Sequence, residues 1–151
     1  MNIEFKKRLH QHCGRLLEKK IQHLGNAVAE AQGAANSETK STAGDKHDTA
    51  RAMAHLEVEK ISKQLQEAEK LKQVFLKMPS QLTQTSVELG CIVKANEVDY
   101  YLGLSLGKIE FENQNLYAIS LASPLAQAMK GLQCNETFHF NNQDFTIQSI
   151  L

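Results

Sequence analysis

Tryptophan is absent from this 151-residue chain, aromatic residues make up 6% of it, and there are only two prolines and three cysteines. Cys13, Cys91 and Cys134 are an odd number with no paired spacing, which argues against a disulfide framework and for reduced thiols. No hydrophobic run approaches membrane-spanning length, and Met1-Asn2-Ile3-Glu4-Phe5-Lys6 has no apolar signal core. A cytoplasmic chain with no membrane partner is the expectation. Net charge is missing as well, since Lys+Arg and Asp+Glu are both 17. No glycine-rich phosphate loop precedes a helix, no nucleophile–base–orienter set is recognisable, and no internal repeat is found.

What is there is unevenly spread. Residues 1–78 hold 14 basic and 10 acidic side chains, and residues 79–151 hold 3 and 7, so the halves carry about +4 and −4. A basic arm suits an acidic or nucleic-acid-containing environment, and the same offset occurs in plain helical hairpins. Leu9, Cys13, Leu16, Leu17, Ile21, Leu24, Val28 and Ala31 draw an apolar stripe at helical spacing over residues 3–31. Gly25 is a weak point in it, costing about 1 kcal/mol relative to alanine. Lys6, Lys7, Arg8, Arg15, Lys19 and Lys20 read as a solvated basic face, and His10, His12, His23 and His55 as solvated helix-face residues.

From Gln32 to Lys46 the periodicity stops amid Gly33, Asn36, Ser37, Ser41, Thr42 and Gly44, which reads as a loop. Residues 49–78 are helical again, with Val58, Ile61, Leu65, Ala68 and Phe75 as the stripe and Asp45 or Asp48 as a cap. Two striped helices joined by a polar turn bury their stripes against each other as an antiparallel hairpin, a coiled coil over 1–78. About 30 residues at ~1.5 Å each give a rod of roughly 45 Å with its turn at one end.

Pro79 ends the second helix. Val87–Val93, Tyr100–Leu106, Leu116–Leu121, Glu136–Phe140 and Phe145–Ile150 then read as strands separated by turns. One short helix interrupts them, with Ser123 as N-cap, Pro124 at its first position and Gly131 as its stop. The expected fold class is therefore α+β, with the hairpin over 1–78 and a small β-rich domain over 79–151.

Asp45 and Asp48 are the only close carboxylates in the turn region. Two oxygen-donor side chains can share one Mg²⁺, which keeps several waters and completes its sphere with phosphate or other oxygens. Such a site is incomplete alone and becomes useful when another macromolecule supplies the rest; a metal beside a phosphodiester can activate water and stabilise the leaving oxygen. The same Asp-x-x-Asp spacing also serves simply as a cap plus a dipole-favoured acid. His10, His12 and Cys13 are donors for Zn²⁺, but only His10 and Cys13 share a helix face and no second pair appears.

Gly44-Asp45-Lys46-His47-Asp48-Thr49-Ala50-Arg51-Ala52 resembles the coiled-coil tip of the Gre family of bacterial transcript-cleavage factors (GreA/GreB), which typically reads Gly-Asp-Leu-Ser-Glu-Asn-Ala-Glu-Tyr. Ile119-Ser120-Leu121-Ala122-Ser123-Pro124-Leu125-Ala126-Gln127-Ala128-Met129-Lys130-Gly131 is similar to the family's Ile-Ser-x-x-Ser-Pro stretch, and two strands follow it as they do there. The resemblance covers nearly the whole chain. It implies an FKBP-like C-terminal domain and a rod that enters the secondary channel of RNA polymerase. Asp45 and Asp48 would then hold a Mg²⁺ shared with the polymerase active site, not stably bound by this chain alone, so that backtracked RNA is cut. Gly44, Lys46, His47 and Thr49 would support the tip, and Ser123 and Pro124 would lie in the docking loop. The nascent RNA 3′ end would be contacted indirectly, the chain would act as a monomer, and it would have no enzymatic activity of its own.

The tip departs from the family pattern. Asp48 is one methylene shorter than Glu, His47-Asp48-Thr49 replaces Ser-Glu-Asn, and the run from Ala35 to Ala43 is longer and more polar. Some Gre relatives occupy the channel and inhibit without promoting cleavage, so a regulator of that kind is the alternative. A peptidyl-prolyl isomerase is suggested only by the FKBP-like base, and a short domain without tryptophan and with few aromatics has little to line a proline pocket. A plain coiled-coil adaptor whose acids are only caps predicts no polymerase binding.

Overall fold

The computed structural model describes the backbone of residues 1–39 and 44–151 and the side chains of 1–37 and 48–151. The elements in order are α1 (Ile3–Thr39), α2 (Gly44–Lys77), β1 (Ile92–Ala95), β2 (Val98–Leu102), β3 (Gly107–Phe111), β4 (Gln114–Ile119), α3 (Pro124–Met129), β5 (Thr137–Phe140) and β6 (Gln143–Ile150). The class is α+β, as expected. The chain forms two compact units, one of Arg15–Lys72 and the other of Met1–Gly14 with Gln73–Leu151.

The first unit is helical. Leu17 and Ala68 are buried within it, Ile21, Leu24, Val28, Val58, Ile61 and Leu65 are half-buried, and Lys72 reaches Glu18 across the helices at 2.7 Å. Leu16 is 38% exposed, contrary to its place in the expected stripe. The buried positions step from 13 to 17, and its neighbour at 16 lies about 100° away around the helix. The loop expected from Gln32 is helix as far as Thr39. Ala34 and Ala35 are strong helix formers, Ala35 is buried, Gln32 donates to Asn36 one turn on, and the Ser37 hydroxyl bonds back to the Gly33 carbonyl. The local polarity that reads as loop is thus satisfied inside the helix.

A Cβ at Gly25 would meet nothing within 4 Å. Gly25→Ala is therefore expected to raise stability by about 1 kcal/mol, read as a rise in the urea midpoint at unchanged slope. Gly14→Ala gains the same propensity but places its Cβ 2.6 Å from the tip of the Phe75 ring, so no such rise is expected there.

The second unit has three layers. Its sheet runs β3-β4-β2-β1-β6-β5, antiparallel except for the β2–β4 pair. α3 packs on one face, over a core of Val87, Cys91, Val93, Ala95, Leu102, Ala126, Met129 and Ile147. Strand alternation turns Ile92 and Tyr101 to the other face, where the start of α1 lies: Tyr101 bonds His10 at 2.9 Å, and Phe5 meets Phe111 with ring centres 5.6 Å apart. Leu9 and Cys13 are fully buried there.

The expected strand over Val87–Val93 is only a bridge at Ser86 followed by β1 from Ile92. The apolar run is bent at Gly90 and fills the α3 side of the core instead. β3 lies outside the strands expected from the sequence; Ile109 is its one buried residue. Three two-residue hairpin turns, Asn96-Glu97, Glu112-Asn113 and Asn141-Asn142, have positive φ at both positions, the twist that joins neighbouring antiparallel strands.

Candidate functional site

α2 begins at Gly44, so Asp45 lies in its first turn and Asp48 one turn later. Asp48 therefore sits inside the helix, where a carboxylate near the N-terminal end is favoured by the helix dipole, and does not act as its N-cap. Positions 45 and 48 share one helix face by spacing. The burial of Gly44 and the side chains of Asp45, Lys46 and His47 lie outside what is described, while Asp48 and Thr49 are exposed. The Asp48 Oδ1 accepts a hydrogen bond from the Arg51 Nη2 at 3.0 Å, and its side chain is 71% exposed. Sequence reasoning did not single out Arg51. Its signal was present all along: a guanidinium three residues after an acid on the same helix.

The donor set suits a hard cation in kind, because an exposed carboxylate on one helix face with a second acid one turn away supplies oxygen ligands. It falls short in number. Among the described residues no group of three or more His, Cys, Asp or Glu is disposed to hold a metal. A cation here would need oxygens from another molecule.

The Ser-Pro segment is built as its sequence implies. The Ser123 Oγ accepts from the Ala126 N–H at 3.3 Å, Pro124 occupies the first helical turn, and Gly131 takes φ +81° after α3. The Ser120 Oγ caps the preceding turn by accepting from the Ala122 N–H, and Gln127 donates to the Leu121 carbonyl at 2.7 Å. Ser123 is half-buried and Pro124 exposed, on an ordered loop presented at the surface.

Lys6 departs from the solvated basic face that the sequence suggests, while Arg8, Arg15, Lys19 and Lys20 are exposed as expected. Lys6 is fully buried, and its Nζ donates to the Leu82 carbonyl, the Gln84 Oε1 and the Leu151 carbonyl at 2.8–3.0 Å. Arg8 grips Glu112 through two hydrogen bonds of 2.6 and 2.9 Å. His10 stacks on Phe75 with ring centres 4.0 Å apart, and His12 stacks on Phe111 at 4.9 Å, so neither is a free surface residue; His23 and His55 are exposed. Burial pushes the Cys13 thiol up to about 12 and the Cys91 thiol up to about 11, which keeps both protonated and unsuited to metal binding. Cys134 is exposed in a turn, its Sγ on the Gln148 carbonyl.

Burial, and then the nearby Lys6 charge, hold His10 below its ordinary 6.5. The folded state therefore keeps the imidazole neutral while the unfolded chain takes up the proton, and stability falls as pH drops from about 6.5. Tyr101 stays protonated under its own burial, and its hydroxyl shares a hydrogen bond with the His10 Nδ1. Denaturant unfolding between pH 7.5 and 5 is expected to lose stability more steeply for the native chain than for His10→Phe. Equal slopes would remove His10 from the account.

No protein-family model and no curated protein matches the chain. The chain is similar to the solved structure of the transcription factor Gfh1, at 16% identity over 90% of this chain and 91% of that one, with a TM-score of 0.36.

Proposed function

We propose that this chain is a Gre-like factor that binds bacterial RNA polymerase by inserting its helical hairpin through the secondary channel. The observation that carries the reading is the acid pair at positions 45 and 48, one turn apart at the start of α2, with Asp48 exposed. The ordered Ser123-Pro124 loop supports it as a docking element on the polymerase rim. In this reading the tip acids help hold a Mg²⁺ shared with the polymerase active site, and backtracked RNA is cut to rescue stalled elongation. The polymerase supplies the catalytic centre, the chain has no activity of its own, and its place is the cytoplasm. Among the described residues no helix is long and apolar enough to cross a membrane, which is compatible with that place.

A second reading, channel occupation with inhibition and no cleavage, is favoured by one observation, the ion pair that already engages Asp48. Both readings require binding. Equilibrium binding to purified bacterial core RNA polymerase, followed by a fluorophore on the exposed Cys134, is expected to saturate and to be little changed by Asp48→Ala. Absence of saturable binding would overturn both.

A further inference from the structure

We draw no further inference here: the strongest candidate, the exposed apolar patch of Met53 and Leu56 on α2, is an unpartnered helix face, and nothing in the structure shows what covers it.

Discussion

Lys6→Met is expected to lower the free energy of unfolding by about 2–4 kcal/mol, the cost of leaving buried acceptors without a charged donor. The native ammonium is fully buried and satisfies three oxygens drawn from Leu82, Gln84 and Leu151. Those residues lie far from Lys6 in sequence, so one side chain ties the start of α1 to the segment after α2 and to Leu151, the residue after β6. Methionine keeps most of the aliphatic stem and therefore most of the packing, which isolates the polar loss. Each oxygen loses a charged donor in a part-buried setting; the Leu151 carbonyl keeps its bond from the Ile92 N–H. Urea denaturation checks this directly. A midpoint within error of the native chain would mean that the ammonium is neutral ballast in its site.

Gly90→Ala is expected to cost a similar amount, about 2–4 kcal/mol, for two independent reasons. The residue sits at φ +84°, a conformation that any side chain other than hydrogen strains. Its added Cβ would also stand 2.8 Å from both the Pro79 carbonyl oxygen and the Pro79 Cδ. Backbone cannot swing aside as a flexible side chain can, so the turn after α2 would have to shift. That shift would pull on the bond from the Gly90 N–H to the Leu102 carbonyl at 2.7 Å and hence on the edge of the core. Thermal unfolding of Gly90→Ala beside Gly25→Ala separates the two kinds of glycine: one variant destabilised, the other stabilised.

The legible parts of the sequence were those set by local rules. Apolar steps of three and four produced both long helices, and Ser123, Pro124 and Gly131 produced α3 with its cap, start and stop in place. What was illegible depended on partners distant in sequence. Lys6 looks like any solvated basic residue until Leu82, Gln84 and Leu151 arrive beside it, and the exposed Arg8 gains its partner only from the distant Glu112. His10 and His12 acquire their roles only from Phe75, Tyr101 and Phe111. The stretch from Gln32 to Ser37 misled for the opposite reason, since Gln32, Asn36 and Ser37 bond within the helix that they were expected to break. At the tip both the acid pair and Arg51, three residues after Asp48, stand in the sequence; the hydrogen bond that joins Arg51 to Asp48 is what the structure adds.

The most direct test of the functional account uses stalled, backtracked elongation complexes of a bacterial RNA polymerase. The chain is added with Mg²⁺, and the RNA 3′ end is followed on a sequencing gel. A cleavage factor shortens the RNA, and Asp45→Ala or Asp48→Ala slows that shortening by about tenfold or more, as expected when a shared metal loses a ligand. Intact RNA with slowed nucleotide addition would assign the chain to the inhibitory reading. RNA unchanged in both length and rate of extension, with no polymerase bound, would contradict the account as a whole.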